Sequence, residues 1–232
     1  MNEIMFEEIK NLTKKLVSIP SINGLDGGEV AIADYIYQYI AEMPYFINYP
    51  SDVFTQALPD DKLARKNVFA LLRGTKGKSE KTLLLHGHID TVGVDDLGVL
   101  KEFAFDCDRL AAEMKNLLQS DEVQRDLESG DYLFGRGAAD MKSGDAVFLV
   151  LLKYFSCHPE QLDGNILFMF NPVEENNHTG ILVALNKLRE LQEQNKLTYL
   201  EIRLRSAPQS YSLFFLCNYT CFCSFISSFS IR

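Results

Sequence analysis

Residues 84–92, Leu-Leu-His-Gly-His-Ile-Asp-Thr-Val, carry an apolar run into two imidazoles and a carboxylate. Neutral imidazole and carboxylate are the donors that suit zinc and related divalent ions. Two acidic stretches follow downstream: Gly-Arg-Gly-Ala-Ala-Asp-Met-Lys at 135–142 and Asn-Pro-Val-Glu-Glu-Asn-Asn at 171–177. A pair of ions about 3.5–4 Å apart needs one carboxylate touching both, with further ligands private to each. His88 can give a nitrogen. Asp90, two residues on, points to the same side of an extended chain and can hold the imidazole through its other ring nitrogen. Asp140 sits in a glycine-bounded turn where backbone can approach an ion closely. Glu174 and Glu175 are adjacent acids suited to two tasks, one as ligand and one as a base for water. Taken singly, each has a plainer reading. A lone histidine at a strand end is usually a hydrogen-bonded structural residue, and single acids belong to turns and surfaces. Only the combination points to a two-metal hydrolase.

The elements that must position these groups follow from periodicity. Met5, Ile9, Leu12 and Leu16 predict a helix over 2–18 that Pro20 closes. Ile32, Ile36 and Ile40 predict a second helix, ending near Pro44. Strands are expected at Phe46–Tyr49, Asn67–Leu72, Lys81–His88, Asn165–Phe170 and Leu197–Ile202. Residues 108–129 read as one or two helices with Leu110, Met114, Leu117 and Leu118 inward. A buried helix starts near Met141 and runs to Phe155, and another covers Ile181–Leu191. Alternating strands and helices imply an α/β three-layer sandwich, a mixed and mostly parallel sheet with helices on both faces. Ligands in such sheets collect at the carboxyl ends of strands. His88, Asp140 and Glu174–Glu175 all fall at such handover points.

The chain has 232 residues, 47% of them hydrophobic, enough for one sizeable core. A formal net charge of −9 argues against a nucleic-acid binder. The N-terminus is acidic and amphipathic, unlike a secretory signal. No stretch before residue 210 approaches the length of a membrane span. Cys107 and Cys157 lie far apart, which fits a reducing cytoplasm. After Glu201 the character changes: the last 31 residues hold seven serines, seven aromatics and three cysteines, with no Asp, Glu, Lys or His. Residues 202–232 are therefore expected to be an aberrant tail, foreign to a 1–201 domain, as a frameshift would produce. A membrane anchor around Leu213–Phe229 is the weaker reading, because Asn218, Thr220 and several serines interrupt it.

Three motifs taken together, His88-Ile-Asp90-Thr-Val, Gly137-Ala-Ala-Asp140-Met-Lys142-Ser-Gly144 and Pro172-Val-Glu174-Glu175, resemble the signature of the M20 family of dinuclear metallopeptidases and amidohydrolases. They occur in that family's order, preceded by its opening phrase in Ser18-Ile-Pro-Ser-Ile-Asn. The charged insert at 93–132, followed by Tyr132-Leu-Phe-Gly-Arg, is most similar to the arginine-degradation (RocB-like) branch. The resemblance implies that His88 binds one metal, Glu175 the other, and Asp140 both. It implies that Asp90 orients His88, that Glu174 is the general base, and that the peptide after Asp140 is cis. The implied cofactor is two divalent ions, zinc first, with cobalt or manganese served by the same donors. The implied substrate is a small peptide or an N-acyl amino acid.

The family pattern also asks for an acidic ligand about 25 residues past Glu175 and a late histidine. Glu201 stands near the first place without the expected motif, and no histidine follows His178. The lid or dimerisation domain by which intact members often dimerise is expected to be missing as well. The expectation is a partial catalytic domain with weak metal binding and little turnover. The alternative is a non-catalytic remnant or a partner of an intact paralogue.

Other residues invite competing readings. The pair His86-x-His88 resembles the metal histidines of amidohydrolase barrels, but a complete eightfold barrel takes about 250 residues. His86 is expected to be structural or supporting. His178 reads as a helix-start residue beside Thr179-Gly180, Lys142 as a neutralising group near Asp140, and Arg136 as a surface residue. Cys157 is expected in core packing near a helix end, and the acidic stretch from Glu122 to Asp131 as a solvated helix face.

Overall fold

A computed structural model describes residues 3–117 and 120–200; the Ser/Phe/Cys-rich tail and Leu118 lie outside the described residues. The chain opens with α1 (Glu3–Val17), whose Ile9, Leu12 and Leu16 recur at helical spacing and are buried. The second helix, α2 (Gly28–Ala41), buries Ile32, Ile36 and Ile40.

The strand expected at Phe46–Tyr49 is instead a short helix, α3 (Pro44–Asn48). Pro44 occupies its first turn, where the fixed φ is already helical and the missing N–H costs nothing. Asn48 Nδ2 donates back to Pro44 O at 2.9 Å, and Tyr45 and Phe46 are buried. Aromatic content suggested a strand; the proline start and tertiary burial decide otherwise. The strand of this region comes later, as β1 (Val53–Ala57).

Then follow β2 (Lys66–Arg73), β3 (Lys81–His88), α4 (Cys107–Met114), α5 (Asp121–Ser129), α6 (Ser143–Cys157), β4 (Asn165–Asn171), α7 (Thr179–Asn195) and β5 (Thr198–Leu200). Within the insert, Asp106 and Ser120 cap α4 and α5 through the Arg109 and Val123 amides. Leu110 and Leu127 are buried there, whereas Leu117, expected inward, is exposed.

The strands form one mixed sheet in the order β1-β2-β4-β3-β5. Pairing is antiparallel between β2 and both its neighbours, and parallel between β3 and both of its own. On one face, Val68, Ala70, Leu72, Leu85, Phe168 and Phe170 pack against α1, α2 and α6. On the other, Phe69, Leu71, Leu167 and Met169 pack against Ala184 and Leu191 of α7. The protein is thus an α/β sandwich with helices on both faces. No described helix is long and apolar enough to cross a membrane.

The parallel register pairs His88 with Asn171, and Ile89 N donates to Asn171 O at 2.8 Å. The two motif-bearing strands, 83 residues apart in sequence at this register, therefore end side by side at one sheet edge.

Candidate metal centre

Four segments meet at that edge. The end of β3 delivers His88, whose ring is buried. The chain then runs extended beside Ser21–Asn23: Thr91 N donates to Ser21 O at 2.9 Å and Asn23 N to Thr91 O at 2.8 Å. The wide turn Ala138–Lys142 presents Asp140. Gly137 begins that turn at φ 75, and a Cβ there would lie 2.4 Å from Thr91 Cγ2, so both conformation and space call for glycine. The Asp140–Met141 peptide is cis. The loop after β4 carries Glu174 and Glu175.

His88 Nε2 lies 2.8 Å from Asp140 Oδ1 and 3.9 Å from Glu174 Oε2. Donor atoms of His88, Asp140 and Glu175 all fall within 4.8 Å of one another. Its Nδ1 faces Asp90, 3.2 Å from the backbone O and 3.4 Å from Oδ1. Asp90 is fully buried and does a second task. Its carboxylate accepts the backbone N–H of Glu174, shared between both oxygens at 3.0 Å, and that of Glu175 on Oδ2 at 3.0 Å. One residue thus holds both the imidazole, through its backbone O and carboxylate, and the acid-bearing loop, through the carboxylate.

The charges follow from this crowding. Burial opposes ionisation of His88, but hydrogen bonds to Asp140 and Asp90 and the nearby Asp145 hold it up at about 11. Burial would raise Asp90, yet the His88 ring, the Glu174 and Glu175 amides and Asn23 hold it below the usual carboxylate range. Asp140 is held low chiefly by its hydrogen bond to His88. Glu175 is raised by burial and, against the pull of His88, by Asp140, Asp90 and Glu174. Acids forced together on a rigid support are relieved by a cation, and one imidazole with carboxylates is a donor set that zinc accepts. The residues fit a divalent ion.

His86 takes no part in the cluster. Burial draws it down to about 4, and its Nε2 has no hydrogen-bond partner among the described residues. His178 is exposed and precedes α7 at φ 56, as expected of a helix-start residue. Three other expectations need correction. Lys142 is fully buried, its Nζ donating to Ile19 O at 2.8 Å, so it ties the N-terminal segment to the turn rather than neutralising Asp140. Burial draws its amine down to about 8. Arg136 is not on the open surface: it pairs with Asp96, and its backbone N–H donates to Ala104 O at 2.7 Å, pinning the insert to the motif. Cys157 is exposed at the end of α6 rather than packed in the core.

Asp145 carries no motif signal in the sequence. It is fully buried in the first turn of α6, and neither oxygen has a hydrogen-bond partner among the described residues. Burial raises it well above 3.8; the His88 and Lys142 charges oppose this, and Asp90 and Asp140 add to it. The folded chain then keeps a proton that the unfolded chain releases, so stability falls as the pH rises above 3.8 towards the raised value. Asp145→Asn, which cannot ionise, is expected to gain on the parent between about pH 5 and about pH 8. Urea unfolding at both ends of that range measures the gap, and an equal gap would contradict a protonated Asp145.

A family model described as peptidase family M20/M25/M40 matches residues 84–202. The protein RocB of Bacillus subtilis (strain 168) is 46% identical over 194 residues, covering 84% of this chain and 34% of RocB. Among solved structures, the M20 family metallo-carboxypeptidase Sso-CP2 from Sulfolobus solfataricus aligns with TM-score 0.51 at 20% identity, over 85% of this chain and 36% of that one. Human carnosine dipeptidase 1 aligns with TM-score 0.53 at 18% identity, over 85% and 38% respectively. The chain spans about a third of the length of the relatives it matches.

Proposed function

The chain belongs to peptidase family M20/M25/M40, and from that membership we propose that it is a metal-dependent hydrolase of amide or peptide bonds, with weak or no turnover in the 232-residue chain itself. The observation that carries this reading is the convergence of His88, Asp140 and Glu175 donor atoms within 4.8 Å at the ends of two parallel strands. In this reading Asp140 is shared between two sites, His88 serves one and Glu175 the other. Bound divalent ions, zinc or else cobalt or manganese, would supply Lewis acidity that polarises the scissile carbonyl and lowers the pKa of water.

The chain's own residues supply the rest. Asp90 keeps the His88 ring turned so that Nε2 faces the cluster. Glu174 would take a proton from the attacking water and return it to the leaving nitrogen, a role supported by its partial exposure and its 3.9 Å distance from His88 Nε2. Sharing Asp140 leaves each site two protein donors among the described residues, one fewer than the three usual for catalytic zinc. That shortfall supports modest metal affinity and slow turnover. The identity with RocB supports the arginine-degradation (RocB-like) branch, and membership of a peptidase family supports a small peptide or N-acyl amino acid as substrate. Two free cysteines among the described residues support a reducing cytoplasm, and the acidic charge speaks against nucleic acid as a partner.

Calorimetric titration of the full chain with zinc and with cobalt tests the proposal. Saturable binding is expected. His88→Ala and Asp140→Asn should each lose more than the roughly 10–100-fold that an outer partner costs. Rapid hydrolysis of N-acyl amino acids abolished by Glu174→Ala would overturn the weak-turnover part. No metal binding at all would replace the reading with that of a non-catalytic remnant or a partner of an intact paralogue.

A further inference from the structure

We propose that Asn23, in the N-terminal segment, is the positioning residue that sets the acid-bearing loop against the His88–Asp90 pair; the metal-related part of this inference rests on the function proposed above. Asn23 uses both ends of its amide. Nδ2 donates to Asp90 Oδ2 at 2.8 Å, and Oδ1 accepts from Asn176 Nδ2 at 2.8 Å. Asp90 Oδ2 therefore receives Asn23 as well as the Glu174 and Glu175 amides, while Oδ1 shares the Glu174 amide and faces the His88 ring. A carboxylate with one oxygen held this way cannot rotate without breaking several bonds.

The segment that carries Asn23 is itself anchored. Ser21 Oγ donates to Ile89 O at 2.6 Å, Lys142 Nζ holds Ile19 O, and the Gly24 N–H reaches the buried Glu29, which Arg65 pairs at 3.0 Å. Asn23 is thus a fixed strut between the Asp90 carboxylate and the Asn176 side of the acid-bearing loop, acting on the cluster through Asp90 and Asn176 rather than by touching it.

The test compares the full chain with Asn23→Ala and Asn23→Asp by amide hydrogen exchange without metal, by zinc calorimetry, and by the visible spectrum of the cobalt-loaded protein. Asn23→Asp keeps the shape and the acceptor for Asn176 but sets a carboxylate against Asp90. In both variants the Glu174 and Glu175 amides are expected to exchange about tenfold faster, with Phe168 in the central strand unchanged. The zinc Kd is expected to rise about 10–100-fold, more for Asp than for Ala, with altered cobalt bands that a general loss of stability would not produce. Unchanged exchange at Glu174 and Glu175 overturns the inference, as does faster exchange with unaltered zinc affinity and cobalt bands. Faster exchange in a chain whose parent binds no zinc supports the strut and removes the metallohydrolase reading instead.

Discussion

Asp90→Ala is expected to cost the chain about 2–4 kcal/mol of stability and roughly 10–100-fold in zinc affinity. The stability loss comes from three donors that end on its carboxylate: the Glu174 and Glu175 amides and Asn23 Nδ2. Each buried donor left unpaired costs about 1–3 kcal/mol, less where water can enter, and the Glu174–Glu175 loop is partly exposed. The affinity loss comes from the ring and the loop: without the carboxylate, His88 Nδ1 keeps only the backbone O of residue 90 and loses the negative charge at 3.4 Å, while the acid-bearing loop is released. Asp90→Asn should fall between, because its amide can accept on one side but turns a donor towards a neighbour that is already donating. Denaturant unfolding and zinc calorimetry measure the two effects separately. Retention of parental zinc affinity in Asp90→Ala would remove Asp90 from the site's design.

Gly87→Ala should be nearly as damaging, for a steric reason. Gly87 lies in β3 between the two histidines, and a Cβ there would stand 2.1 Å from Asp145 Oδ1 and 3.3 Å from Met141 Cε. Asp145 is buried on all sides and cannot swing into solvent, so either the strand or the start of α6 must move. Overpacking of this kind costs about 1–3 kcal/mol. Here the movement also displaces the turn that presents Asp140, so zinc binding should weaken together with stability. Adding Asp145→Ala to Gly87→Ala is expected to recover part of both losses, since the clash is with that one carboxyl. A double variant no better than the single would place the strain elsewhere.

The strongly periodic elements were legible in the sequence because one physical signal dominated each. Ile32, Ile36 and Ile40 mark α2 by helical spacing, and the apolar runs ending in His88 and Asn171 mark the two central strands. His88, Asp140 and Glu175 could be grouped because residue type and order resembled a family signature; the sheet register brings the ends of β3 and β4 together, and the Ala138–Lys142 turn adds Asp140. What could not be read were roles fixed by long-range packing. Lys142 looked like a companion of Asp140 by adjacency, yet its four-carbon stem carries the amine to Ile19, 123 residues away in sequence. Asn23 stood within a recognised phrase but had no visible partner until Asp90 and Asn176 met it. Asp145 belongs to no motif singled out in the sequence, and only its complete enclosure makes it unusual. The short helix at Pro44–Asn48 misled for the opposite reason, since aromatic residues favour strands on average and burial chose the helix.

The side-by-side ending of β3 and β4 has a consequence for how this scaffold can vary. Everything from Gly93 to Leu133 departs from one strand end and returns at Gly135, and Arg136 staples it down through Asp96 and Ala104. The excursion leaves the strand pairing alone. New loops of different length or chemistry can be spliced there without moving His88 relative to the Glu174–Glu175 loop, because the hydrogen-bonded ladder, not the intervening chain, sets that spacing.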